Sequence, residues 1–226
     1  MNLPTRRERE KADLKERILG AARTLLVEGG REAVTMREVA RRVEYSPAAL
    51  YQYFPDKESI IHELCITDFS LLASVLLALP QDGGPLALLC RTGFAYLQFA
   101  RDYPEHYRFM FLTPTGGSPP DSPEQRADPA TNAYVFLLGV VEVAMGEELL
   151  RPELSDPHLV TQSLWAAAHG VAALDVCRRS SEAWLDFRAF EERADAIIHM
   201  SILAFARDTA LAQRIFRQVQ KEQRGG

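Results

Sequence analysis

One stretch, residues 35–57, reading TMREVARRVEYSPAALYQYFPDK, leaves this chain few folds to choose from. It opens with a helix start signal. The Thr35 hydroxyl is placed to accept from the backbone N–H of Glu38, and the Glu38 carboxylate to reach back to Thr35, a capping box. Val34 precedes the cap and can staple onto Val39. Met36, Val39, Ala40 and Val43 form an apolar stripe at helical spacing, with Arg37, Arg41 and Arg42 on the polar side. After the turn Glu44-Tyr45, Ser46 reads as an N-cap with Pro47 at the first helical position. A second helix then carries Leu50, Tyr51, Tyr53 and Phe54 and stops at Pro55. Two short helices across a tight turn outline a helix-turn-helix, whose second helix meets base edges with its N-terminal residues.

The spaced residues Thr35, Glu38-Val39-Ala40, Ser46, Leu50-Tyr51, Tyr53-Phe54 and Lys57-Glu58 resemble the DNA-binding region of the TetR family of transcriptional regulators. The resemblance implies double-stranded operator DNA as a partner. It puts Arg37, Pro47, Ala48 and Ala49 against base edges, and Thr35, Tyr51 and Lys57 on phosphates, with Ser46 and Tyr53 completing the set. Arg pairs bidentately with guanine, while Pro47, Ala48 and Ala49 offer apolar atoms suited to thymine methyls. Three positions depart from the family pattern. Glu44 stands where a turn glycine is usual, Tyr45 where a small aliphatic is usual, and Ala48 where glycine is common. Glu44 must tolerate a left-handed or strained turn at a cost of ~1 kcal/mol.

The net charge of −5 speaks against nucleic acid until it is divided. Residues 1–55 hold 11 Lys+Arg and 8 Asp+Glu, a net +3; residues 56–226 hold 15 and 23, a net −8. A basic head on an acidic body fits contact with DNA at one end. Residues 1–11 carry Arg6, Arg7, Arg9 and Lys11 before any apolar period begins, which reads either as a frayed, solvated terminus or as a basic arm on DNA. The longest apolar runs, such as residues 71–79, fall short of the ~20 residues that span a bilayer, and the first residues are charged, so a cytoplasmic protein without a membrane partner is expected. Cys65, Cys90 and Cys177 are odd in number and sit in apolar helical pattern, as reduced core residues do. No nucleophile-base set and no glycine-rich phosphate loop appears, so no catalytic residue and no cofactor are expected. His62 and Cys65 lie three apart on one helix but lack further ligands, so no metal site is expected either.

Around the motif the chain reads as all α. Leu14, Ile18, Ala22 and Leu25-Leu26 mark a first helix that Gly29-Gly30 should end. Further helices are expected over residues 56–79, 86–102, 105–112, 130–150, 158–179 and 186–216, with a Pro-rich loop at 114–129. The expected architecture is a three-helix helix-turn-helix head at residues 1–55 and a helical ligand-binding and dimerisation domain at 56–226. Trp165 and His169 share a helix face at i, i+4 beside three alanines and Gly170; this is either a packing seam or the wall of a pocket. The Trp-x-x-x-His-Gly pattern also resembles a C-terminal ligand-binding domain of part of the TetR family. With Phe69, Phe94, Tyr103, Phe109 and Tyr134, these residues would line a site for a small apolar effector. Leu164, Ala168, Val171, Ala172 and Leu174, with Ile197, Ile198, Ser201, Ile202 and Phe205, offer stripes through which the last two helices would form a homodimer. The expected function is a ligand-responsive transcriptional regulator, a repressor released from its operator by an apolar molecule. The competing reading is a helical small-molecule-binding or enzymatic protein without DNA binding.

Overall fold

The computed structural model describes residues 5–113, 127–177 and 186–225. The helices in chain order are α1 (Arg6–Ala33), α2 (Met36–Val43), α3 (Pro47–Leu50), α4 (Lys57–Leu77) and α5 (Gly84–Asp102). Then follow α6 (Pro104–Tyr107), continued as a π-helical turn Arg108–Leu112, α7 (Ala133–Gly146), α8 (Pro157–Cys177), α9 (Phe190–Phe205) and α10 (Thr209–Gly225). The fold is all α. Among the described residues the only β pairing is an isolated antiparallel bridge between Leu150 and Ala206.

The chain forms two compact units, Met1–Phe69 with Glu105–Asp121, and Ser70–Pro104 with Ser122–Gly226. The first unit is larger than residues 1–55 because later residues complete its core. Leu14, Ile18, Leu25 and Leu26 of α1 pack with Val39, Val43, Leu50 and Phe54 of the motif, with Ile60, Ile61 and Leu64 of α4, and with Phe109. As expected, the helix is broken at Gly29-Gly30, where Gly30 takes φ 69°, ψ −169°; a short further helical piece follows to Ala33. At its other end a capping box of Thr5 and Glu8 starts the helix, so the basic residues from Arg6 onward are helical. Against expectation, α4 is long and apolar enough by length and composition to cross a bilayer. The count of uninterrupted apolar runs missed it because a few polar residues interrupt its sequence. One of them, Asp68, is fully buried within the first unit.

In the second unit α5 is the central helix, packed against α7, α8, α9 and α10. It is apolar nearly all round, burying Leu86, Leu89, Phe94, Leu97 and Phe99, as a helix with neighbours on every side must be. Gly93 lets α9 approach closely, since a Cβ there would lie 2.3 Å from Cδ1 of Ile198. The Arg91 guanidinium, almost fully buried, donates to the carbonyls of Pro80 (3.1 Å) and Asp82 (2.5 Å) and to the Glu222 carboxylate (3.0 Å), tying the turn before α5 to α10. The long final helix expected over 186–216 is two helices. Ala206 turns extended at ψ 141°, Arg207 N–H donates to the Leu149 carbonyl (2.8 Å) and Arg151 N–H to that of Phe205 (2.9 Å). The Asp208 carboxylate then caps α10 by accepting from the N–H groups of Ala210 and Leu211. Most of the loop expected at 114–129, namely residues 114–126, lies outside the described residues, as do the last two residues of the helix expected over 158–179.

Candidate functional site

The helix-turn-helix is assembled from below. Thr35 caps α2 by accepting from Glu38 N–H at 3.1 Å, and Val34 and Val39 are both fully buried in one apolar cluster. Only half of the expected capping box forms. The Glu38 carboxylate instead takes Arg41 in a two-point contact (2.6 and 2.9 Å), with Arg42 at 3.6 Å. Arg41 and Arg42 together hold Glu38 below the usual carboxylate range, Arg41 chiefly. Arg42 also reaches Glu28 of α1 at 2.5 Å. These two arginines are committed to the protein; Arg37 is exposed and makes no ion pair among the described residues.

The turn takes the strained form expected of it: Glu44 lies in the left-handed region at φ 61°, ψ 40°. Tyr45 N–H reaches the Ala40 carbonyl at 3.0 Å, closing the helix end. A residue that spacing did not single out steadies it. Arg17 of α1 donates to the Val43 carbonyl at 2.8 Å while its guanidinium lies 5.7 Å from the Tyr45 ring centroid. Ser46 accepts from Ala49 N–H at 3.2 Å, so α3 starts as read. Regular α-helix ends at Leu50, earlier than expected. The chain then tightens into turns, with Gln52 and Tyr53 N–H groups bonding three residues back. Thr35, Arg37, Ser46, Pro47, Ala48 and Tyr51 are exposed, Ala49, Tyr53 and Lys57 half-buried, and Leu50 and Phe54 buried beneath them. Lys57 Nζ sits 3.5 Å from the Arg31 carbonyl, and Arg31 pairs with Glu58, so the start of α4 is tied to the end of α1.

Deeper in the same unit, Asp68 accepts two bonds from Arg23 (2.6 and 2.7 Å) and faces Nδ1 of His106 at 3.1 Å. Burial alone would push this carboxyl up, but the bonds from His106 and Arg23 outweigh it and hold it low. A lone carboxylate in the apolar stripe of α4 was the signal for this link. Phe69 and Phe109, two of the residues expected at the effector site, belong to this unit. Phe109 is core, and Phe69 meets the edge of Phe111 at 5.7 Å. Cys65 is half-buried, its thiol pushed up by burial and by Asp68, and no third metal-ligating residue joins it and His62 among the described residues.

In the second unit Trp165 and His169 meet edge to face at 6.0 Å on α8. Tyr96 of α5, which spacing did not reveal, joins them. Trp165 Nε1–H donates to the Tyr96 hydroxyl (3.2 Å), which lies 3.0 Å from Nδ1 of His169. Burial favours the neutral form of His169, and the direction of its bond with the Tyr96 hydroxyl follows from which ring nitrogen carries the proton. Phe94 stacks on Phe216 at 6.2 Å, Tyr103 tilts against Phe99 at 5.1 Å, and the Tyr134 hydroxyl lies 2.8 Å from Nδ1 of His158. Of the expected effector set, Trp165 and His169 are in direct ring contact. Gly170 faces solvent, so the close helix approach falls at Gly93 instead. Ala168, Ala172, Ile198 and Ile202, expected in a dimer stripe, are buried within the unit, while Leu159, Trp165, Leu174 and Met200 are exposed. Cys90 is buried, its thiol pushed up to about 12, but Cys177 is exposed rather than core.

With this geometry in hand, comparisons with known proteins agree on one kind of molecule. Residues 18–64 match the model for bacterial regulatory proteins of the tetR family, and residues 89–200 match a tetracyclin repressor-like C-terminal domain. The chain is 38% identical over 74 residues to an uncharacterized HTH-type transcriptional regulator of Mycobacterium tuberculosis, Rv2250c, covering 33% of this chain and 38% of that protein. It is 38% identical over 60 residues to the HTH-type transcriptional repressor KstR of Rhodococcus jostii, covering 26% of this chain and 28% of that one. These matches span well under half of the curated relatives' length. Among solved structures, a regulator from Marinobacter aquaeolei superposes with a TM-score of 0.70 at 18% identity, covering 88% of this chain and 98% of that one. The ketosteroid transcriptional regulator KstR2 of Mycobacterium tuberculosis gives 0.60 at 16% identity, covering 86% and 96%.

Proposed function

Because the chain belongs to the TetR family of bacterial regulatory proteins, we propose that it is a cytoplasmic, homodimeric repressor that leaves its operator when a small apolar molecule binds. The observation that carries the DNA-binding part is the division of labour in the motif. Val39, Val43, Leu50 and Phe54 are buried, Arg41 and Arg42 are engaged, and Arg37, Pro47, Ala48 and Tyr51 are left exposed. Arg37 reads a base edge, Pro47, Ala48 and Ala49 approach thymine methyls, and Thr35, Tyr51 and Lys57 hold phosphates, with Ser46 and Tyr53 alongside. A two-fold dimer through the outward faces of α8 and α9 presents two such heads to half-sites about 34–36 Å apart. The repressor reading is supported by the 60-residue likeness to KstR.

The effector site belongs to the second unit, centred on Tyr96, Trp165 and His169, a small polar group of the kind that orients an apolar ligand. An effector that lowers operator affinity must itself be weakened by operator DNA by the same factor. The deciding experiment is enrichment of duplexes from a random pool by the purified protein. A two-fold symmetric sequence is expected; enrichment of nothing overturns the reading.

A further inference from the structure

Helix α1 begins well before the head it supports. Thr5 N–H donates to Glu8 Oε2 at 2.7 Å and Glu8 N–H to Thr5 Oγ1 at 3.3 Å, so the helix has a defined start. Residues 5–13 are all exposed, and Leu14 is the first residue of α1 to enter the core. Two turns of helix therefore run beyond the packed head. Within them Arg6 pairs with Glu10 at 2.7 Å, while Arg7, Arg9 and Lys11 make no ion pair among the described residues.

The helical register decides which way these charges face. Arg7 and Lys11 continue the line of Leu14, Ile18 and Leu25, the line along which α1 packs on the motif and the start of α4. The face that is apolar inside the head becomes basic where it leaves it. The motif lies against the adjacent turn of α1: Arg17 bonds Val43 and covers Tyr45, and Lys15 Nζ sits 5.8 Å from the Phe54 ring centroid. Both ends of the 45–54 segment thus abut the third turn of α1. Arg7 lies ~15 Å further along the helix axis from Arg17, at 1.5 Å per residue.

We propose that the first two turns of α1 are a second DNA-contacting surface, on which Arg7 and Lys11 hold backbone phosphates flanking the groove entered by α3. The proposal rests on the DNA-binding reading above and adds a sequence-independent contact to it. Arg9 is the internal control, because it lies two residues past Arg7 and so about 200° round the helix.

The test compares wild type, the double variant Arg7→Gln/Lys11→Gln, and Arg9→Gln. Binding is measured on the duplex that wild type enriches from a random pool and on a mixed-sequence duplex of equal length, across a range of salt. Loss of two phosphate contacts per protomer, four in the dimer, should lower affinity for both duplexes by a similar factor and reduce the slope of log K against log salt by about 3.6. Arg9→Gln should leave the slope near that of wild type. All three substitutions are at exposed positions, so thermal melting should not move. An unchanged slope in the double variant overturns the proposal, as does an equal loss in Arg9→Gln, which would mean bulk charge rather than a facing surface. If wild type binds neither duplex at low salt, the DNA-binding reading fails as well, and the two failures are told apart by that control.

Discussion

Arg37 and Glu44 sit seven residues apart and test different physics. Arg37 is the exposed arginine of α2 without an ion-pair partner among the described residues, so its removal costs the fold little. Arg37→Ala should weaken binding to the enriched duplex by about 1–3 kcal/mol and relax selection at one base pair. Equal weakening on all duplexes would make Arg37 a phosphate contact instead. Glu44 holds φ 61° without being glycine, so Glu44→Gly should raise stability by about 1 kcal/mol, read as a higher urea midpoint. Two glycines make a contrasting pair. Gly93→Ala sets a methyl against Cδ1 of Ile198, which must move, and should be less stable than Gly170→Ala, which has nothing within 4 Å and should be neutral or stabilising. Chemical unfolding of both variants checks this.

Among the elements, α4 and the final pair of helices depart most from a periodicity reading. A carboxylate in the middle of an apolar helix is costly unless paired, and Asp68 is paired with Arg23 and His106. Its carboxyl is held below the ordinary range. Its contribution to stability is therefore complete above the unfolded-state value of about 3.9 and is lost as pH falls through the lower folded value. Wild type should lose stability below about pH 4 more steeply than Asp68→Asn, which lacks that titration. At neutral pH the asparagine variant should be the weaker one, since the half-buried Arg23 is left without its counter-charge. Acid titrations followed by circular dichroism separate the two outcomes. The break at residues 206–208 is written locally only in Asp208, a capping residue ahead of α10. Helical spacing continues across it, because three residues barely disturb a 3.6-residue period.

For the whole molecule, the outward faces of α8 and α9 carry Leu159, Trp165, Leu174 and Met200 exposed. The dimer proposed above would cover Leu174 and Met200 on these helices. Leu174→Glu with Met200→Glu should shift sedimentation from dimer to monomer and weaken operator binding, while leaving thermal melting of the helical content nearly unchanged. A wild type that sediments as a monomer at every concentration would exclude the dimer.

The sequence by itself determined the all-α class, the helix-turn-helix with its caps at Thr35 and Ser46, and the left-handed turn at Glu44. These depend on interactions within four residues, where the order of side chains is nearly the geometry. Tertiary structure decided what the same residues do at long range. It turned Glu38 from its cap to Arg41 and Arg42, brought Arg17 to the motif's turn, and set Phe109 in the core of the first unit. It also joined Tyr96 to His169 across 73 positions. On α8 and α9 it buried Ala168 and Ile198 while exposing Leu174 and Met200, although all four lie on apolar faces. The physical reason is that periodicity shows a helix has an apolar face, but only the neighbouring helices determine which side is the inside.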